Sequence, residues 1–318
     1  MVKSATISRR GGVTCIGLAV LALVPVVTTI TGHIFYQDLV NRLMILAIAA
    51  ISLNLILGNG GMISFGHAAY LGIGAYCVGI PAYYEVYNGW IHFLLAVVTS
   101  ALFALLTGSI CLRTTGVYFI MITMAFAQMM FFALVSIEAY GGDDGLVIEL
   151  RSEFEGLLDL ESHLVLYYVT FVSLIVCLYL IHRIINSRFG MVIEGAKDNE
   201  LRMQSIGFNT YRYRLICYVI SGAICGLAGA LLGNFTNFIS PEMMDWTRSG
   251  ELIFMVVLGG AGSLFGPVLG AGAFLLLEEF LSDITIYWQL LFGIMLLMVV
   301  LFVRGGIVGL LGTWGRPR

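Results

Sequence analysis

The sequence predicts an all-α bundle of membrane-crossing helices, and three observations carry that prediction. Hydrophobic residues fill 59% of the 318 positions and charged residues only 11%, against about 25% charged residues in a soluble domain. A water-facing surface cannot be assembled from that composition. The apolar residues fall in runs of about 20, the length that crosses roughly 30 Å of hydrocarbon as a helix rising about 1.5 Å per residue. The runs also lack the short alternating segments of transmembrane strands, which leaves the helix as the element that satisfies its own backbone in lipid.

Taken in order, the runs predict spans near residues 13–31, 39–57, 62–84, 90–112, 116–138, 163–185 and 214–238, a broken stretch over 250–282, and a last span at 285–303. The first follows Lys3, Arg9 and Arg10 and so resembles a signal peptide. With Pro25 inside the run and no small-residue cleavage site after it, an uncleaved span is expected. Placing the N-terminus inside puts a loop at 139–162 in the periplasm and a loop at 186–213 in the cytoplasm. Seven acids (Asp143, Asp144, Glu149, Glu153, Glu155, Asp159 and Glu161) and a single base, Arg151, occupy the outer loop. Across the chain 13 of 16 basic residues fall inside, the exceptions being Arg42, Arg151 and Arg248, and such a bias sets orientation. Arg304, Arg316 and Arg318 put the C-terminus inside as well, so the crossings number eight or ten in a single membrane domain over residues 1–318.

Two runs make poor plain helices. Gly58-Asn-Gly-Gly-Met-Ile-Ser-Phe-Gly-His-Ala-Ala-Tyr-Leu-Gly-Ile-Gly74 has six glycines, and Gly259-Gly-Ala-Gly-Ser-Leu-Phe-Gly-Pro-Val-Leu-Gly-Ala-Gly272 has six with Pro267. Such density leaves backbone groups unpaired, tolerable in a membrane only where protein or a wet cavity covers them. Broken helices beside a pathway are expected, lined by Ser64, Gly66 and His67 from the first segment and Gly260, Gly262 and Ser263 from the second. Close helix packing is the alternative for any one glycine. The segments share Ser64, Phe65, Gly66 against Ser263, Phe265, Gly266, a weak sign of internal duplication. Asn54, Thr123 and Gln128 add polar groups deep in neighbouring runs, and no mid-span acid of the proton-relaying kind accompanies them. Gly222-x-x-x-Gly226 and Gly229-x-x-x-Gly233 read as a packing face. Gly141-Gly-Asp-Asp-Gly145 reads as a solvated turn, since its spacing does not match a calcium loop. The six cysteines, Cys15, Cys77, Cys111, Cys177, Cys217 and Cys225, read as small apolar packing residues.

The loop at 186–213 is the most informative stretch. Asp198 is placed to cap a short helix of about two turns, Glu200 falls in its first turn, and Gly207 is placed to end it in the left-handed conformation. Ile193, Leu201, Met203 and Ile206 give it apolar residues that suit docking into a groove of a soluble partner, or packing along the inner face of the bilayer. Glu194, Ala196, Lys197, Asp198, Asn199, Glu200, Arg202 and Gly207 are the candidate docking residues. No phosphate loop of the G-x-x-x-x-G-K-[ST] kind exists, because the only lysines are Lys3 and Lys197 and neither follows a glycine. ATP must be handled by another polypeptide.

Gly61-Met-Ile-Ser-Phe-Gly-His-Ala-Ala-Tyr-Leu-Gly-Ile-Gly-Ala-Tyr76, Gly116-Val-Tyr-Phe-Ile-Met-Ile-Thr-Met-Ala-Phe-Ala-Gln128 and Gly141-Gly-Asp-Asp-Gly-Leu146 occur in that order. Ser187-Arg-Phe-Gly190, Ala196-Lys-Asp-Asn-Glu200, Ser240-Pro-Glu242, Ser249-Gly-Glu251 and the glycine stretch from Gly259 follow. Over nearly its whole length the chain thus resembles the LivM-type permease subunits of branched-chain amino acid ABC importers, differing at Phe189 and Lys197, where arginine is usual or frequent. The resemblance implies a type II-like importer permease, multi-pass in a bacterial inner membrane and surrounded by lipid. It implies a LivH-type partner permease, two cytoplasmic ATPase subunits and a periplasmic binding protein as partners, and no nucleic acid. It implies that this chain is no enzyme and binds no cofactor of its own, with ATP and Mg on the partner subunits. Two other readings remain: a urea or short-amide permease of the same class, and a stand-alone carrier or channel.

Overall fold

The computed structural model describes residues 17, 20–26, 28, 34–154, 158–302 and 305–313. Most of the expected first span, with Lys3, Arg9, Arg10 and Cys15, lies outside the described residues, as do Glu155, Arg304, Arg316 and Arg318. Helix α1 (Ile34–Asn54) runs into a π-helical turn, Leu55–Asn59, and the chain is non-helical until α2 (His67–Tyr83). Next come α3 (Gly89–Cys111) and α4 (Val117–Val135), then a loop with β1 (Leu146–Val147), β2 (Glu153–Phe154) and β3 (Leu158–Asp159). Helices α5 (His163–Ile185), α6 (Arg188–Asp198), α7 (Glu200–Ser205) and α8 (Thr210–Thr236) follow. After β4 (Phe238–Ile239) come α9 (Trp246–Gly259), α10 (Gly266–Ile284), α11 (Trp288–Phe302) and α12 (Gly306–Thr313).

Five helices among the described residues are long and apolar enough to cross a membrane: α1 with its π turn, α3, α4, α5 and α8. The other expected spans take a different form. The run at 62–84 becomes a helix only from His67, and the stretch at 250–282 divides into α9 and α10. With 14 residues, α9 is about 21 Å long and falls short of the roughly 30 Å of hydrocarbon. Glycine density is the cause in both places, joined by Pro267 in the second. The expected all-helical fold gains two small ribbons outside the bundle: β1 pairs antiparallel with β4, and β2 with β3.

Helices α1, α2 and α8 form the centre. In α1 the residues from Met44 to Asn54, Leu46 apart, are buried, so this helix is enclosed by protein. Gly222 and Gly226 lie against α3 and Gly229 against α2; a β-carbon at Gly226 would collide with Ser100, and one at Gly229 with the Leu71 carbonyl. The packing reading of the two G-x-x-x-G motifs holds, since small residues let backbones approach. Cys111, Cys177, Cys217 and Cys225 are buried and Cys77 half-buried, all as free thiols.

The three basic residues on the expected outer side are each engaged. Arg42 pairs with Glu278 at 3.2 Å, and Arg248 with Glu251 at 2.9 Å. Arg151 is buried and donates to Asn237 Oδ1 at 3.1 Å and to the carbonyls of Leu160 and Glu161. It therefore stitches the acidic loop to the end of α8. Glu251 and Glu278, which lie along the broken stretch, are thus each held in an ion pair, which lowers the cost of a charge in apolar surroundings.

Candidate functional site

The two glycine-rich breaks meet. Asn54, the last residue of α1, donates from Nδ2 to the Ser263 carbonyl at 2.9 Å, and its Oδ1 accepts from the Gly262 amide at 2.9 Å. One side-chain amide thus satisfies a donor and an acceptor that the break between α9 and α10 leaves without helical partners. Gly58 makes the approach possible, because a β-carbon there would collide with Asn54 Oδ1 and the Gly262 backbone. Gly260 and Gly262 have φ values of 113° and 81°, in the region that favours glycine. Ser263 turns its hydroxyl back onto the Gly260 carbonyl at 2.8 Å.

The first break is held from a second direction. A π turn, with its wider hydrogen-bond ring, often marks a functional position, and here it leaves the Gly58 carbonyl facing the loop at 186–213. Lys197 donates from Nζ to that carbonyl at 2.7 Å. An ammonium at the carboxyl end of a helix also meets the negative end of the helix dipole. Lys197, flagged from the sequence for docking, therefore ties the loop to the first break.

Ser64, His67 and Thr123 order the start of α2. Ser64 Oγ accepts from the Gly66 amide, and Thr123 Oγ1 accepts from the Phe65 amide at 3.2 Å. The Ala68 amide donates to Ser249 Oγ of α9 at 2.9 Å. Ser221 donates its hydroxyl hydrogen to the Ser52 carbonyl, so the 2.8 Å contact from His67 Nε2 to Ser221 Oγ has the imidazole as donor. That assigns the Nε2-protonated tautomer. Tyr70 and Tyr218 stand edge-on around the ring. Asn54, Ser64, His67 and Thr123 are all essentially unexposed. Through these hydrogen bonds they fasten the breaks. Gln128 is half-buried and donates to Asp245 Oδ1 at 2.6 Å.

The loop is two helices instead of one. Ser187 caps α6, accepting from the Gly190 amide, and Asn199 caps α7, accepting from the Arg202 amide at 3.0 Å. The expected cap at Asp198 is corrected by one residue: Asp198 ends α6, and Asn199 has the extended backbone (φ −157°, ψ 100°) that a cap needs. Glu200 begins α7 as expected. Gly207, at φ 97°, ends it: the Gly207 amide donates to the Gln204 carbonyl and the Phe208 amide to the Met203 carbonyl, the paired bonds of a Schellman motif.

Glu200 anchors the pair of helices. Its carboxylate accepts from Arg214 Nη1 at 2.7 Å and from Thr210 Oγ1 at 2.9 Å, while Arg214 Nη2 donates to the Ala196 carbonyl. Glu194, Lys197, Asp198, Asn199, Arg202 and Gly207 are exposed, whereas Ala196 is buried. Leu201 is 79% and Ile206 63% exposed, so α7 presents apolar side chains that the described residues do not cover. Phe189 packs on Tyr213, with ring centres 5.5 Å apart. Sequence reasoning missed Gly58, Arg214, Thr210 and Asp245. The glycine cluster pointed at the first of these, and nothing local marked the rest.

Comparison with known proteins adds to this geometry. The chain is 29% identical over 287 residues to the high-affinity branched-chain amino acid transport system permease protein LivM of Salmonella typhimurium, covering 83% of this chain and 68% of the relative. It is 28% identical to LivM of Escherichia coli over the same shares. It is 32% identical over 149 residues to the E. coli permease LivH, 46% of each chain. No solved structure matches the chain. Residues 35–301 match the family described as branched-chain amino acid transport system / permease component, and the chain belongs to that family.

Proposed function

We propose that this chain is one of two permease subunits of an ATP-driven importer that carries branched-chain or related amino acids inward across a bacterial inner membrane. The second is a LivH-type subunit, two ATPases bind from the cytoplasm, and a periplasmic binding protein delivers the solute. Both termini lie in the cytoplasm. The observation that carries this reading is the continuous link from the exposed α6–α7 pair through Lys197 to Gly58, and from Asn54 across to Gly262 and Ser263.

In this reading the exposed Leu201 and Ile206, with Arg202 and Asn199 beside them, dock in a groove of the ATPase. Closure of the ATPase pair on ATP displaces α6 and α7, and Lys197 carries that displacement to the first break. Asn54 passes it to the second. Short half-helices joined at glycine-rich breaks rock more readily than full spans, and that motion opens the path inward.

The test uses Glu200→Ala and Gly207→Pro. The first removes the acceptor that holds Arg214 and Thr210. The second is incompatible with φ 97° and removes an amide donor. Both are expected to lose co-purification with the ATPase and amino acid uptake in reconstituted vesicles. If both variants keep wild-type association and uptake, the docking assignment is wrong. Flux through this chain alone in liposomes would instead favour a self-contained carrier.

A further inference from the structure

A cavity of about 320 Å³ lies between the first break, the start of α4 and the α6–α7 pair. It is separate from the link described above, although Lys197 borders both. One wall is apolar, with Met62, Phe119 and Ile120; the other carries Lys197, Glu200 and Arg214. Two cations and an anion opposite a branched apolar wall complement a small zwitterion with an aliphatic side chain. Arg214 supplies a second observation. Its Nη atoms are engaged by Glu200 and Ala196 and, among the described residues, its buried Nε–H finds no acceptor, so part of the guanidinium charge stays unmatched beside the cavity. A carboxylate is the group that such a charge draws most strongly.

We propose that this cavity binds the imported amino acid from the cytoplasmic side and that occupancy slows transport. The inference rests on the importer reading for its ligand. The carboxylate accepts from the free hydrogens of Lys197 beside the Arg214 guanidinium, the ammonium faces Glu200, and the aliphatic chain lies against Phe119 and Ile120. Product bound there touches the first break, α4 and the coupling helices together. It favours the arrangement in which those three walls are in register. A cycle that must shift α6 against Gly58 first has to release it, and at ten times its dissociation constant the ligand holds back that step roughly tenfold.

The test uses the complete transporter in vesicles, with ATP inside and binding protein plus labelled leucine outside. Unlabelled leucine is preloaded at increasing concentration, and initial uptake and ATP hydrolysis are both read. Internal leucine is expected to lower both rates severalfold, while a branched carboxylic acid without the ammonium, or a branched amine without the carboxylate, is much weaker. Ile120→Trp, which fills the apolar end, is expected to keep uptake into leucine-free vesicles and lose the inhibition. Uptake that ignores internal leucine overturns the proposal, as does full inhibition in Ile120→Trp. If Ile120→Trp does not assemble, the comparison of leucine with the two half-ligands decides, and equal potency overturns it. If no leucine enters even empty vesicles, the importer reading fails separately. Binding of labelled leucine to the purified complex without binding protein then tests the cavity, and no retained leucine overturns the site.

Discussion

Replacing Asn54 with alanine removes both hydrogen bonds that join the two breaks. Each such bond contributes about 0.5–1.5 kcal/mol net, and a partner left dry costs about 1–3 kcal/mol. Asn54 is 1% exposed, but Gly262 is exposed and Ser263 half-buried, so water re-satisfies part of what the substitution leaves unpaired. The expected loss is therefore about 2 kcal/mol, below the dry limit. Asn54→Asp should cost more: it keeps an acceptor for the Gly262 amide, loses the donor to Ser263, and places a charge where solvent does not reach. The assay is unfolding of the purified chain in mixed micelles, followed by tryptophan fluorescence, together with leucine uptake by the reconstituted transporter. The order of stability is wild type, then alanine, then aspartate, with uptake falling in both variants. Alanine within about 0.5 kcal/mol of wild type, the range of an ordinary surface change, with full uptake would refute the idea that this amide clasps the breaks.

Other substitutions test neighbouring steps. Gly58→Ala drives a β-carbon into the Gly262 backbone and is expected to cost about 1–3 kcal/mol and most uptake, as read by thermal inactivation. Gly293→Ala in α11, where a β-carbon meets nothing within 4 Å, serves as its contrast and should gain about 0.5–1 kcal/mol. Arg151→Met leaves Asn237 and two carbonyls without their donor; a loss of about 2–4 kcal/mol and faster proteolysis of the loop at 139–162 are expected. Leu201→Glu and Ile206→Glu change exposed side chains, so stability should hold while ATPase co-purification drops; retained co-purification would remove α7 from the docking surface.

What was legible in the sequence follows the range over which each decision is made. Gly207 could be placed at a helix end because a left-handed residue after a short charged helix is settled locally. The start of that helix was misplaced by one residue, since Asp198 and Asn199 are both good caps and only the backbone of Asn199 distinguishes them. Breaks at residues 60–66 and 260–265 were visible as glycine clusters. That they touch was not, because Asn54 and Ser263 are 209 positions apart and nothing local announces the pairing. Glu278 stands in plain view within the broken stretch, but its pairing does not, because Arg42 is 236 positions away. His67, singled out by its glycine-rich surroundings, is occupied by Ser221 and Tyr218 of α8 and by Tyr70 of its own helix.

The faint likeness between the two glycine-rich segments gains meaning from where its residues sit. Ser64 and Ser263 each lie just before a helix that departs from a break, and Gly66 and Gly266 stand at the first turn of α2 and α10. Each unit is a helix, a break and a second helix, with α1 and α2 forming one and α9 and α10 the other. Side chains join the units: Asn54 spans the breaks, Arg42 of α1 pairs with Glu278 of α10, and Ser249 of α9 accepts from the Ala68 amide of α2. Breaks have few backbone hydrogen bonds of their own, so they are the points at which a helical bundle yields first. Lys197 delivers the loop's only positive side chain between Arg188 and Arg202 to one of those points. A displacement of α6 therefore reaches a break directly as well as the full span α8, to which Arg214 ties Ala196, and through Asn54 it reaches both units together. Cutting the Lys197 link, as in Lys197→Met, should accordingly leave ATPase binding at α7 intact while uncoupling ATP hydrolysis from uptake. Loss of ATPase binding in that variant would place Lys197 in the docking surface and leave the breaks without their connection to the loop.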